Sequence, residues 1–387
     1  MTKTTFIHTS DFQLGMQRWF LGGEAQARFD DARQESITRL GELATRTGAE
    51  FIVVAGDVFE HNSLSSQVTG RAKEALSKLP VPVYLLPGNH DPLVADSIFF
   101  KAVNKEDTPN VHVIADSVPI AVSEGVEIVG APLMARAATH DLVESMLEPL
   151  EPTDSIRVAI GHGQIHGWGD SDKRDAIDLA NAEDNIRQGT IDYLALGDTH
   201  STMELGSTGA VWFSGSPETT DFKHLPGGGG EADSGNALVV SIEKEGTSRA
   251  SVQVVKEPIG QWVFESIEAD INSEEDIQRF VQQLKDYSDK HRTVIKYGLR
   301  GTINIKTQRI LDAAIEDLEP VFASLKPRPR VMDLHLAPEA DELENLGLTG
   351  FAASALDELL EDMSQNPDAV ARDAANLLFR LTRKAAS

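Results

Sequence analysis

The chain has 387 residues, 41% of them hydrophobic and 25% charged, with no apolar run near the roughly 18 residues a membrane span needs, which suits a soluble globular protein of two or three domains and excludes a helical membrane protein. It contains no cysteine, so disulfides, thiolate zinc sites and thiol nucleophiles are ruled out, and any metal must be held by His, Asp, Glu, Asn or Gln. Its 61 acidic against 35 basic residues leave a formal charge of −26; nucleic acid would need a local basic track, and residues 331–371, without one Lys or Arg, cannot be it.

In chain order, Met1-Thr-Lys-Thr-Thr-Phe runs straight into an apolar strand pattern without the basic, apolar and small-residue order of a signal peptide, so a cytoplasmic location is expected. Short β-branched runs at 5–10, 50–56, 82–88, 157–162 and 192–198 end in Gly and polar residues, and amphipathic stretches such as 24–47 lie between them. This is an α/β pattern. At 111–132 and 211–255 strand follows strand, which predicts antiparallel meanders added to the core sheets, so a layered β-sandwich flanked by helices fits better than a simple doubly wound sheet. Residues 226–235, with four consecutive glycines, read as a surface loop.

After Trp262 the pattern restarts as strand (263–271), helix (273–287), strand (293–305), helix (307–325) and strand (330–336), a small α+β unit. The tail repeats one apolar spacing, Ala352, Leu356, Leu359, Leu360, Met363 and then Val370, Ala374, Leu377, Leu378, Leu381, with Asn366-Pro367 as cap and first-turn proline between two helices. The expected domains are therefore a main body at 1–260, a small α+β capping domain at 261–338 and a C-terminal helical pair at 339–387.

Five polar clusters fall where strands of the main body end: Asp11-Phe-Gln13, Gly56-Asp57-Val-Phe, Gly88-Asn89-His90-Asp91, Gly161-His162-Gly163 and Gly197-Asp198-Thr-His200. Strand ends are where α/β sheets place ligands. Taken singly, Asp11 or Asp57 would serve as a helix cap and His162 as a satisfied core histidine. Five in this order, supplying carboxylates, amides and imidazoles without thiols, point to a hard or borderline divalent metal.

These boxes resemble the signature of the calcineurin-like metallophosphoesterases, and His8-Thr-Ser-Asp11, Gly56-Asp57-Val-Phe59 and Leu86-Pro-Gly-Asn-His-Asp-Pro92 are most similar to the SbcD and YhaO branch of DNA repair exonucleases. The resemblance implies an α/β/β/α fold and two divalent ions, with Asp11 and His200 on one, Asn89 and His162 on the other, and Asp57 bridging. Gln13 and Asp198 stand where the commonest pattern has histidine; Asp198 shifts the preference toward harder ions, with manganese first and magnesium and iron behind it. His90 is implied as general acid or charge stabiliser, its ring oriented by Asp91. His61, Arg18 and Arg136 are weaker substrate-binding candidates, for which a solvated surface role is the better reading.

The function so implied is a DNA repair nuclease, an exonuclease with single-strand endonuclease activity beside it, working through a two-metal-activated hydroxide. DNA and an SbcC-like coiled-coil ATPase held by the tail helices are the implied partners, with a homodimer also compatible and no membrane. Two alternatives stay open: a metallophosphoesterase acting on a nucleotide or small phosphodiester, and a non-catalytic subunit with a degenerate metal site.

Overall fold

The apolar runs of the main body become two six-stranded sheets packed face to face. The computed structural model describes residues 1–104, 106–166, 174–223, 231–336, 350–365, 370–371, 373–375 and 377–378. The strands are β1 (Thr2–Thr9), β2 (Phe51–Val54), β3 (Val83–Leu85), β4 (Val111–Val113), β5 (Ile120–Ser123), β6 (Val126–Gly130), β7 (Ile156–His162), β8 (Tyr193–Gly197), β9 (Met203–Leu205), β10 (Val211–Phe213), β11 (Asn236–Lys244) and β12 (Ser251–Pro258). One sheet has the order β12-β11-β1-β2-β3-β4 and the other β5-β6-β7-β8-β10-β9. In each, a run of parallel strands forms the middle, and β2 and β7 are buried along their whole length, as strands covered on both faces must be.

Phe6 stacks on Phe51 at 4.9 Å between ring centroids and meets Tyr193 of the opposite sheet edge-on, inside an inter-sheet core that also holds Tyr84, Val158, Leu196 and Leu238. The outer face of the first sheet is covered by α1 (Gly23–Thr47), α2 (Ser66–Ser77) and the short α3 (Phe99–Ala102), through Ile37, Leu40, Leu76 and Phe99. On the second sheet, α4 (Leu142–Leu147) and α5 (Leu179–Gln188) bury Val143, Met146, Ala182 and Ile186. The result is the α/β/β/α sandwich.

The expected meanders are corrected in part. β4 joins β3 in parallel, Val83 opposite Val111, and β10 joins β8 in parallel; the antiparallel pairs are β5–β6, β9–β10, β11–β12 and β1–β11. Periodicity marks a strand, but its direction depends on which neighbour the connection reaches.

Two buried polar links cross between the sheets. Lys244 on β11 donates to the Asp192 carboxylate at 2.9 Å and to the Ser155 carbonyl at 3.0 Å. His8 on β1 lies 3.0 Å from the Tyr193 hydroxyl through Nδ1 and 3.2 Å from the Leu196 carbonyl through Nε2. The carbonyl can only accept, so Nε2 carries the proton and Nδ1 receives the tyrosine O–H.

The chain divides into two compact units between Val263 and Phe264. The second contains β13 (Val263–Asp270), α6 (Glu274–Lys285), β14 (Thr293–Ile303), α7 (Ile305–Leu318), β15 (Ser324–Pro327), β16 (Asp333–Leu336) and α8 (Phe351–Gln365). Its long central strand β14 is flanked in parallel by β15 along Val294–Tyr297 and by β16 along Arg300–Ile303, over a core of Ile277, Phe280, Ile295 and Leu311. The helix expected over 307–325 stops at Leu318: Glu319–Val321 is a 3-10 turn carrying Pro320, whose missing N–H ends the α ladder, and 324–327 is a strand. Of the expected tail, α8 and helical residues between 370 and 378 are described, while its linker at 339–349, Asn366-Pro367 and Leu381 lie outside the described residues, as do 226–230 of the glycine-rich segment. Among the described residues no helix is long and apolar enough to cross a membrane.

Burial holds the His8 pKa at about 3, against a pull upward from its bond to Leu196, whereas the ordinary value is 6.5. Below about pH 6.5 the unfolded chain therefore takes up a proton on His8 that the folded one refuses, and the His8 contribution to stability falls by about 1.4 kcal/mol per pH unit until about pH 3. Denaturant unfolding at pH 7 and pH 5 should show a loss that is about 2 kcal/mol smaller in His8→Gln than in the wild type; equal losses would mean that His8 is charged in the fold.

Candidate metal centre

All five clusters sit at the carboxyl ends of central parallel strands: Asp11 and Gln13 after β1, Asp57 after β2, Asn89 to Asp91 after β3, His162 at the end of β7, and Asp198 and His200 after β8. The two sheets thus bring their halves of the set together at one edge. To turn there, the backbone adopts positive φ at four non-glycine residues among those described, Asp11 (53°), Gln13 (41°), Asp57 (54°) and Asp198 (96°), all within these clusters. Left-handed backbone outside glycine costs on the order of 1–3 kcal/mol per residue and persists where the surroundings enforce it. Here they do: Asp11 N–H donates to the Gly56 carbonyl at 3.0 Å and Gln13 N–H to the Asp57 carbonyl at 2.9 Å, lacing the first two loops together. At Gly56, itself at φ 96°, a Cβ would lie 2.1 Å from His162 Nδ1, so glycine is what lets that ring enter.

Oxygens of Asp11 and Asp57 and a ring nitrogen of His162 all lie within 4.8 Å of one another, and all three residues are buried. His162 Nδ1 donates to the Ala55 carbonyl at 2.8 Å, which turns Nε2 inward, 2.8 Å from Asn89 Oδ1 and 3.4 Å from Asp57 Oδ1. His200 is oriented in the same way: Nδ1 faces the Glu231 carboxylate at 2.6 Å, and Nε2 points toward Asp11 Oδ1 at 3.9 Å and the Gln13 amide at 3.0 Å. Such outer partners fix the tautomer of a metal-binding histidine and raise its basicity.

The donor set fits a divalent cation. Asp11 Oδ1, Gln13 Oε1 and Asp198 Oδ2 are buried acceptors with no hydrogen-bond partner among the described residues, an arrangement that is costly unless a cation satisfies them. The charge balance agrees. Desolvation raises the Asp11 carboxyl, and it would raise Asp57 too, but His162 and His90 hold Asp57 below the usual carboxylate range. Against its own desolvation, the Asp57, Asp11 and Asp198 carboxylates lift the His162 imidazole well above its ordinary value. The cavity's field thus calls for positive charge.

Residues 4–202 match the calcineurin-like phosphoesterase family, a span that contains every cluster. The chain belongs to that family. It is 28% identical over 243 residues to the uncharacterized metallophosphoesterase YhaO of Bacillus subtilis (strain 168); the match covers 58% of this chain and 55% of that protein, so the chain spans about half the length of its curated relative. The crystal structure of TT1561 of Thermus thermophilus is 13% identical with a TM-score of 0.38, covering 56% of this chain and 90% of that one.

Within this phosphoesterase the other expected residues separate. His90 belongs to the centre: its backbone N–H donates to Asp57 Oδ1 at 3.0 Å and its ring Nε2 is 3.9 Å from Asp57 Oδ2. The expectation that Asp91 orients that ring is corrected. Asp91 Oδ1 and Oδ2 accept from the backbone N–H groups of Gly88 and Phe59 at 2.8 and 2.9 Å, and the His90 ring is held instead by the Glu60 carbonyl, 3.0 Å from Nδ1. Burial, with the Asp57 charge, pushes the Asp91 carboxyl up to about 7. Arg18 donates to the Thr220 carbonyl. His61 accepts from Ser63 N–H at 3.1 Å in the loop after β2. Arg136 is exposed and lines the cleft that Asn89, His162 and Asp198 open into.

Sequence reasoning missed three supports. Glu231 orients His200 and binds Thr220, and against desolvation the His200 bond holds its carboxyl at about 2. Arg33 of α1 is buried and donates to the Phe12 carbonyl at 3.0 Å and, at 3.4 Å, to that of Asp11. Ser216 Oγ donates to the Asp11 carbonyl at 2.8 Å. A buried arginine within an apolar helix face was the one available signal. Glu231→Gln should lower affinity for divalent metal roughly 10–100-fold, the usual effect of removing a histidine's outer carboxylate; calorimetric titration with Mn²⁺ checks this, and unchanged affinity would show that His200 is not a ligand.

Proposed function

We propose that this phosphoesterase hydrolyses phosphodiester bonds of DNA, at ends and in single strands, with two divalent ions at the centre and manganese preferred. The observation that carries the reading is the position of Asp57: one carboxylate within the same 4.8 Å group as Asp11 and His162, with Asn89 on the His162 side and Gln13 and His200 on the Asp11 side. Asp11, Gln13 and His200 would hold one ion, Asn89, His162 and Asp198 the other, and Asp57 both. Two ions so placed would lower the pKa of water toward neutrality and neutralise phosphate oxygens.

The protein's own part lies around them. Glu231 and the Ala55 carbonyl keep the His200 and His162 rings turned toward the ions. Asp91 ties the Gly88 to His90 turn to the loop after β2, accepting from the Gly88 and Phe59 N–H groups. The His90 ring is pinned through Nδ1 to Glu60 and leaves Nε2 available, when protonated, to hold the proton that the leaving oxygen takes.

A second reading, a nucleotide or small phosphodiester as substrate, is favoured by the −26 charge, which opposes duplex binding by this chain alone. In the DNA reading, an SbcC-like coiled-coil ATPase supplies the basic surface; exposed Phe351, Val370 and Leu377 in the C-terminal helices support a docking role for that tail.

Purified protein with Mn²⁺ should degrade a labelled single-stranded oligonucleotide faster than its duplex, and both faster than a cyclic nucleotide. The reverse order selects the second reading, and no turnover with Mn²⁺, Mg²⁺ or Fe²⁺ on any of them would leave a non-catalytic subunit. His90→Ala should keep the wild-type metal content while turnover falls roughly 10²–10⁴-fold, the usual scale for a proton donor; metal lost together with activity would make His90 a ligand.

A further inference from the structure

Beside the centre lies a cleft of about 310 Å³ into which Asn89, His162 and Asp198 face. Pockets for small organic ligands start at roughly this size, are mostly apolar, and carry a few convergent polar groups. Its lining includes aliphatic residues, Leu133, Leu142 and Ile177 among them, and, among the described residues, the polar groups Arg136, Gln164 and Asp175 beyond those of the centre. Among the described residues, Arg136 is the one Lys or Arg on those walls and has no ion-pair or hydrogen-bond partner. In a chain of charge −26, an unpaired arginine lining the same cleft as Asp175 and Asp198 is an unused phosphate-binding group.

We propose that this cleft is a nucleoside pocket that takes one unstacked nucleotide of the substrate, with Arg136 on a phosphate oxygen and the base against Leu133, Leu142 and Ile177. The inference rests on the reading of the centre as a phosphodiesterase and adds what that centre selects. A cleft of about 310 Å³ is of the size that one nucleoside fills, so a base that enters it leaves its stack, as in enzymes that pack a base against apolar side chains. Gln164 offers an amide donor and acceptor, and Asp175 a carboxylate acceptor, which suits a base with an exocyclic amine.

The test is calorimetric titration of the Mn²⁺-loaded protein with two probes, inorganic phosphate and deoxycytidine 5′-monophosphate. The nucleotide should bind tenfold or more tightly than phosphate. Ala138→Trp, placed where the lining leaves the core for the exposed loop, should erase that advantage and leave phosphate affinity as it was, with a melting temperature near the wild type. Arg136→Gln should weaken both probes by the same factor, since the phosphate is what they share. Equal affinity for the two probes in the wild type, or a nucleotide advantage that survives Ala138→Trp, would overturn the pocket and leave the phosphodiesterase reading standing. Failure of both probes to bind, together with failure to cleave any phosphodiester, would overturn that reading and the pocket with it.

Discussion

The structure is organised around like charges brought together out of water. Asp11 and Asp57 are buried within one small group, with Asp198 close by, and compensating groups nearby are the imidazoles of His162, His200 and His90. Carboxylates in the interior repel one another and lose hydration, and neither penalty is met by hydrogen bonds alone, because Asp11 Oδ1 and Asp198 Oδ2 have no partner among the described residues. Such a cluster is unfavourable for an isolated chain and favourable for a cation, and much of the surrounding architecture serves to keep it from relaxing.

That architecture acts mainly through the backbone. The left-handed turns at Asp11, Gln13, Asp57 and Asp198 aim short side chains inward, and they are held by bonds between loops and by Arg33, which collects the Phe12 and Asp11 carbonyls. Arg33 also brings a buried positive charge near the acidic cluster, though desolvation lowers its own pKa to about 10. The side chains that touch the centre are therefore a minority of those that shape it.

This division explains what could be read in the sequence. Gly-Asp, Gly-Asn-His-Asp and Gly-His after apolar runs are legible because a strand end and its turn are local in the chain, and the same holds for α6, whose Ser273 cap and apolar spacing stand in one stretch. The pairing of β4 with β3 and of β10 with β8 was not legible, since direction depends on partners far away in sequence. Glu231 and Arg33 were hidden for the same reason: each acts on a loop more than twenty residues away, and of the two only Arg33 carries a local mark, a charge within an apolar helix face. Asp91 shows a subtler failure, a residue inside the most recognisable box whose carboxylate serves the turn and not the neighbouring ring.

The division of the donor set between two sheets has a kinetic side. Asp11, Asp57 and Asn89 belong to one sheet and His162, Asp198 and His200 to the other, while His8 and the Lys244–Asp192 pair cross the same interface as fixed links. Neither sheet alone holds a complete set, so the set comes into being only after the sandwich has closed. A cation that arrives that late contributes little to the folding transition state and resists the sheets' separation, which slows unfolding more than it speeds folding. With a cation bound, the centre would work as a latch, and the lifetime of the closed sandwich would be set in part by how tightly that cation is held.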